Sequence, residues 1–274
     1  MKKHRSVRVS KGLRQVLCEV AEVARYLWER GWAEKNAGNI SVDVTEFFGR
    51  SLRDISVYPF ARIQTPLAGL DGRYFLVTIS GSRMRDVSAS VAENTCIIRI
   101  SEKSHGYHTI WGNERRLPGV PTLELPSHLA IHRNFCRQVS PRKAIVHTHP
   151  TEIVALTQIA GYNDEEKLNA LLWAMHSESI VAIPEGVGLI PYALPGTEGI
   201  AQATATSLDN HCIVIWEKHG CFAAGVDVLD AFDVIDVVAK AARIFFHCAG
   251  AGFTPQGLTQ PQLEELRRRF VTKG

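Results

Sequence analysis

Apolar residues at Leu13, Val16, Leu17, Val20, Val23, Ala24 and Leu27 recur every three or four positions, which predicts an amphipathic helix ending near Gly31. The period then shortens to two, and Asn39 to Val44 alternates polar and apolar residues as a strand does. Tyr74 to Ile79 and Thr95 to Ile100 predict two further strands, the first running into the turn Ser80-Gly81-Ser82. Pro126 is placed to open a helix that reaches about Gln138, because the first turn does not need the N–H that proline lacks. The run Ala144-Ile145-Val146-His147-Thr148-His149-Pro150 reads as a buried strand, followed by a helix from Thr151 to Ile159. Ser179 to Ile183 is expected to be extended, Glu198 to Leu208 helical and His211 to Trp216 extended. A last helix is expected from Val228 to His247, with Leu229, Phe232, Ile235, Ala239, Ala242 and Phe246 at helical spacing. The connections across Tyr74–Ile100 and His211–Gly225 suit hairpins better than regular βαβ repeats. The expected fold class is therefore α/β of the α+β type, a single domain over 1–274 with a central, largely antiparallel sheet flanked by helices.

Composition adds little to this picture but excludes several classes. The 274 residues, 45% hydrophobic and 22% charged, suit an ordinary globular enzyme, and no linker or internal repeat interrupts them. Much of the net charge of +3 sits at the ends, in Lys2, Lys3, Arg5, Arg8 and Lys11 and again in Arg267, Arg268 and Arg269. Such clusters read as solvated termini, with 1–11 a flexible tail, and not as a nucleic-acid surface. No apolar run reaches bilayer length, and the basic N-terminus lacks the apolar core of a signal peptide. The expectation is a cytoplasmic protein with neither nucleic acid nor membrane as partner. The six cysteines show no CxxC pairing and read as reduced, mostly buried thiols.

The chemistry is concentrated in histidines and one glutamate. His147 and His149 are two residues apart on a predicted strand, so both side chains leave the same face and can meet one metal ion. His219, in Glu217-Lys218-His219-Gly220 after another apolar run, sits in a turn that could aim it at the pair. Three histidines with an open position would suit a catalytic zinc; three separately hydrogen-bonded histidines are the plain alternative. His128 and His132, four apart on a predicted helix, are a competing metal pair, though without an HExxH glutamate. His105 and His108 fall in an apparent loop and are expected to face solvent. Glu124, between Pro121 and Pro126, is either a general base or a residue complementing a helix N-terminus. The turns Asn36-Ala37-Gly38-Asn39 and Ser80-Gly81-Ser82 offer backbone N–H groups, amides and hydroxyls to an anion, but caps and hairpins use the same residues. No lysine has the apolar setting that a Schiff-base aldolase would need.

In order along the chain, these segments resemble the class II aldolase/adducin family from about Val20 to Phe246. The carriers are Gly31-Trp32-Ala33-Glu34-Lys35-Asn36-Ala37-Gly38-Asn39, Pro121-Thr122-Leu123-Glu124-Leu125-Pro126-Ser127-His128, the His147/His149 pair, Leu172-Trp173 followed by Glu178, Pro184-Glu185-Gly186-Val187-Gly188, and Lys218-His219-Gly220. Within the family the likeness is to the branch that cleaves L-rhamnulose 1-phosphate, reversibly, to dihydroxyacetone phosphate and L-lactaldehyde. The resemblance implies one Zn2+ per chain, held by His147, His149 and His219, with Glu124 as catalytic acid/base. It further implies phosphate binding by Asn36, Gly38, Asn39, Ser80 and Gly81. Glu178 matches a glutamate that reaches a neighbouring subunit's site, which implies a homotetramer.

Leu123 departs from the branch pattern, which carries serine there, and Ser82-Arg83 also differs in one branch. These changes bear on which sugar phosphate is accepted. The rivals on the same scaffold are a fuculose-1-phosphate aldolase and a pentulose-phosphate 4-epimerase; Glu124 stands where the epimerases resemble Ser-Asp-Thr-Pro. A non-catalytic adducin-like module is a third reading, opposed by the intact histidine set.

Overall fold

The computed structural model describes residues 9–49, 55–65, 68–112 and 119–271. Its strands are β1 (Asn39–Asp43), β2 (Phe60–Arg62), β3 (Tyr74–Thr78), β4 (Thr95–Ile100), β5 (Gly106–Trp111), β6 (Ala144–Thr148), β7 (Gly188–Ile190), β8 (Ile213–Trp216) and β9 (Gly220–Gly225). They form one sheet in the order β2-β5-β4-β3-β1-β6-β9-β8-β7. Every neighbouring pair is antiparallel except β7 with β8, which is parallel.

The α-helices among the described residues are α1 (Lys11–Glu29), α2 (Met84–Ala89), α3 (Val91–Asn94), α4 (Leu125–Gln138), α5 (Thr151–Leu156), α6 (Glu165–Met175), α7 (Ser177–Ala182), α8 (Glu198–Ser207), α9 (Val228–Gly250) and α10 (Gln260–Leu266). One face of the sheet packs Ile40, Val42, Leu76, Val146, Ile215 and Ala223 in a core shared with α1 and α9. On the other face, Ile145, Val214, Trp216, Phe222 and Ala224 pack with residues of α4 and α8. The central strands are therefore buried on both sides, which is why β6 and β8 read as continuous apolar runs.

β1 is the informative exception. It alternates like a half-exposed strand, yet all five of its residues are buried. Ile40 and Val42 enter the apolar core, while Asn39 and Ser41 face polar partners under α4. Its polar face is satisfied by protein groups.

Several expectations change. Residues 1–8 of the expected tail, with Lys2, Lys3, Arg5 and Arg8, lie outside the described residues; Ser10 caps α1 through the Leu13 N–H, and Lys11 belongs to the helix. Ser179–Ile183, expected to be extended, is largely the helix α7, where packing against α9 outweighs the strand preference of Ile180 and Val181. His108 is in β5, half-buried and bonded to the Tyr58 carbonyl, so it does not face solvent from a loop as expected. Cys18 is exposed, whereas Cys96 and Cys221 are buried, and all six thiols are free. The helix begun at Thr151 stops at Leu156, short of Ile159. No helix among the described residues is long and apolar enough to cross a membrane.

Candidate active site

Antiparallel pairing brings alternate ends of neighbouring strands to one edge of the sheet. The start of β1, the ends of β3 and β6 and the start of β9 all lie there, because these four strands are neighbours in the order β3-β1-β6-β9. Asn39 pairs with His147 across β1 and β6, and Thr148 pairs with Cys221 across β6 and β9. Residues distant in the chain thus meet around a cavity of about 250 Å3, lined by Asn36 to Asn39, Thr78 to Ser82, Thr122 to Glu124, His147, His149, Pro195, Gly196 and His219.

Two turns depend on their backbone shape. Gly38 has φ +80°, and a Cβ there would lie 3.0 Å from the His147 carbonyl. Gly220 lets β9 close on β6, since a Cβ would come within 2.4 Å of the Thr148 carbonyl and 2.6 Å of the His149 ring. Between Trp216 and Gly220 the hairpin turns through Lys218 at φ +63°, held by its N–H to Thr157 Oγ1 at 2.9 Å. That sparsely populated conformation sends the next residue, His219, over the strand ends.

One side-chain nitrogen of each of His147, His149 and His219 lies within 4.8 Å of the others. The tautomers of His147 and His149 follow from their outer partners. His147 Nδ1 donates to the Cys221 carbonyl at 2.9 Å, and His149 Nδ1 donates to Glu34 Oε1 at 2.9 Å. Burial, then the neighbouring His149 and His219, holds His147 well below the usual histidine range, so its ring is neutral and Nε2 carries a lone pair. His149 Nε2 faces that nitrogen at 3.1 Å. With both Nδ1 atoms donating outward, neutral rings would set two nitrogen lone pairs against each other, an arrangement that a cation between them turns from repulsive to favourable. Outward N–H groups fixed by a carbonyl and a carboxylate are the usual supports of metal-bound imidazoles. The donor set therefore fits a divalent metal, with His147, His149 and His219 as its holders. His219 is also lowered, by burial and then by His149, against the opposing pull of Glu124 and Glu34.

Glu124 occupies the N-cap position of α4, but its side chain caps nothing. The carboxylate turns into the cavity instead, where Oε2 accepts from Asn39 Nδ2 at 2.6 Å and lies 3.3 Å from His147 Nε2. Its other oxygen is 3.8 Å from His219 Nε2. Of the two readings of Glu124, the reach toward the histidines prevails, although the helix N-terminus still favours a negative charge at this place.

Asn36, Gly38, Asn39, Ser80 and Gly81 all line the same cavity. Glu178 does not: it is exposed in the first turn of α7 and absent from the cavity's walls. His128 and His132, the competing metal pair, bracket the Ser41 hydroxyl at 2.6 and 2.9 Å. What lies between them is a serine oxygen. Sequence reasoning missed Glu34, although it stands within the Trp32 to Asn39 stretch, and it missed Ser41, whose alternation with apolar residues was the available signal. Leu123, at the rim, is 80% exposed.

The profile of the "Class II Aldolase and Adducin N-terminal domain" family matches residues 18–246. The chain belongs to this family. Among its relatives are a rhamnulose-1-phosphate aldolase of Bacteroides thetaiotaomicron, 41% identical with 92% of this chain and 93% of the relative covered, and one of Listeria welshimeri, 36% identical with 92% and 90% covered. Among solved structures, a sugar-phosphate aldolase from Thermotoga maritima is 31% identical with a TM-score of 0.74, covering 90% of this chain and 100% of that one.

Proposed function

We propose that the chain is a zinc-dependent lyase that cleaves L-rhamnulose 1-phosphate reversibly to dihydroxyacetone phosphate and L-lactaldehyde. One observation carries this reading: three histidines with inward nitrogens share a cavity with the Glu124 carboxylate, beneath two small-residue turns. The named activity of the Bacteroides and Listeria relatives supports the substrate.

Zinc, when bound by His147, His149 and His219, would supply Lewis-acid stabilisation of the negative charge that cleavage leaves on the ketose oxygens. Asn36, Gly38, Asn39, Ser80 and Gly81 would hold the phosphate through neutral donors, fixing the ketose without a competing cation. Cleavage of the C3–C4 bond releases the aldehyde once the C4 hydroxyl gives up its proton. Glu124 then delivers a proton to C3, completing dihydroxyacetone phosphate, and removes it in the reverse direction. Glu178, reaching across from a neighbouring subunit, would serve the aldehyde oxygen. This role requires an oligomer, a homotetramer of single-domain chains by the family resemblance, with the cytoplasm as its expected place. Leu123, exposed at the rim where the rhamnulose-phosphate branch carries serine, bears on the choice of sugar.

The test is a coupled assay of dihydroxyacetone phosphate release across several ketose 1-phosphates, with metal content measured on the same sample. Rhamnulose 1-phosphate is expected to turn over fastest, with about one zinc per chain. Chelation or Glu124→Gln is expected to reduce kcat by at least about 100-fold. Full activity without metal would overturn the mechanism, and faster turnover of fuculose 1-phosphate would overturn the substrate.

A further inference from the structure

Beneath the cavity, four hydrogen bonds run inward from Glu124 and leave little freedom in their direction. Asn39 links to Glu124 at 2.6 Å through Nδ2 and to His128 Nε2 through Oδ1. His128 Nδ1 meets Ser41 Oγ at 2.6 Å, and the same hydroxyl meets His132 Nε2 at 2.9 Å. A carboxylate oxygen only accepts, so Asn39 must turn its N–H2 toward Glu124 and its carbonyl oxygen toward His128. That oxygen also only accepts, so His128 carries its proton on Nε2. Nδ1 of the neutral ring must then accept from the Ser41 hydroxyl, which accepts in turn from His132 Nε2–H. Each bond dictates the next.

We propose that His128, Ser41 and His132 are positioning residues for the acid/base step, acting through Asn39 to hold the Glu124 carboxylate in register with the reacting carbon. The inference rests on the role of Glu124 proposed above.

All members of the chain beneath Glu124 are nearly inaccessible: Asn39 is 6% exposed, Ser41 1%, His128 0% and His132 1%. Buried polar groups left unpartnered are costly, so the network holds one arrangement firmly. Burial pushes the pKa of both histidines down, His132 to about 4, which keeps the rings in the neutral form the bonding requires. A proton wire does not describe this chain, because the Asn39 amide cannot pass a proton from one end to the other without losing its amide form. An orienting strut does. The strut also gives Asn39 a second duty, since one N–H of its amide is committed to Glu124 and the other is left for the cavity.

The decisive experiment combines steady-state kinetics of the metal-loaded enzyme with 15N NMR of its histidines. Ser41→Ala and His128→Gln are expected to lower kcat by about 10- to 100-fold. KM for the ketose 1-phosphate is expected to stay within about twofold, with metal content unchanged. Because the strut acts through Asn39, Ser41→Ala is expected to cost nothing further in kcat once Asn39→Ala is present, whereas losses from a general structural weakening would multiply. Should His128→Gln fail to fold, Ser41→Ala, which removes one oxygen, carries the same test. NMR is expected to find His128 as the Nε2–H tautomer in the wild type. Unchanged kcat in Ser41→Ala, multiplicative losses in the double variant, or an Nδ1–H tautomer would each overturn the proposal. A wild type without aldolase activity would instead overturn the functional reading, and the tautomer measurement would still decide the direction of the chain.

Discussion

Glu34 stands outside the ring of histidines, yet its bond to His149 Nδ1 decides which nitrogen of that ring points inward. Because Glu34 is exposed, Glu34→Ala is expected to leave the metal-free protein's stability nearly unchanged. Metal affinity is expected to fall about 10- to 100-fold, measured by competition with a chromophoric chelator. An unchanged affinity would remove Glu34 from the site. Spacing on a strand puts the rings of His147 and His149 on one face, whereas His219 as their third member and Glu124 as more than a helix-end charge came from the family resemblance. Glu34 and Ser41 were not legible, since a place in a matched stretch or in an alternating strand does not say which ring a carboxylate or hydroxyl will meet. His128 and His132 show the limit most clearly: helical spacing of four puts two imidazoles side by side, but only the sheet beneath supplies the serine that they grip.

Among the elements, α4 supplies most of the proposed strut. Its first residue follows Glu124, its inner face bears His128 and His132, and its far end stops at Val139 in the left-handed region, with φ 54° and ψ 39°. A β-branched residue resists that conformation, and Val139, at 88% exposed, gains no burial in return. Val139→Gly is expected to raise stability by roughly 1 kcal/mol without altering kcat, as read by urea unfolding. A decrease would mean that the side chain is held by contacts not evident in its exposure. Elements with long, clean periodicity, such as α1 and α9, were readable to within a few residues. The short ones were not. β7 has three residues and β2 three at the sheet edge, too few for any period to declare itself. In α7 the local preference pointed the wrong way until α9 was packed against it.

Across the whole molecule, the buried histidines tie stability to pH. Burial pushes His132 down to about 4 in the folded chain, against an ordinary value of 6.5. Between these values the unfolded chain takes up a proton that the folded chain refuses, so stability falls as pH drops from 6.5 toward 4 and is level above 6.5. The loss from this group is roughly 3 kcal/mol, and His128 adds to it in the same direction. Urea unfolding of metal-free protein at pH 7 and pH 4.5 is expected to show the fall, and His132→Asn to diminish it; equal stability at both pH values would contradict it. Metal removal is a separate matter. The sheet is buried on both faces without help from the ion, so chelation is expected to leave the circular dichroism spectrum intact. It would lower stability by about 4 kcal/mol relative to protein with metal at a thousand times Kd. The antiparallel sheet was legible from the hairpin-like connections, but the order of its strands was not, because pairings such as β1 with β6 join segments about a hundred residues apart.

That order has a consequence for the newly made chain. Residues 36–39, 78–82 and 122–124 meet His147 and His149 through β3, β1 and β6, but His219 joins them only when β9 has docked against β6. A nascent chain halted before His219 emerges holds two of the three histidines and nothing to complete them. Tight metal uptake is therefore a late event in biogenesis, and the ion acts as a certificate that the last central strand has found its place.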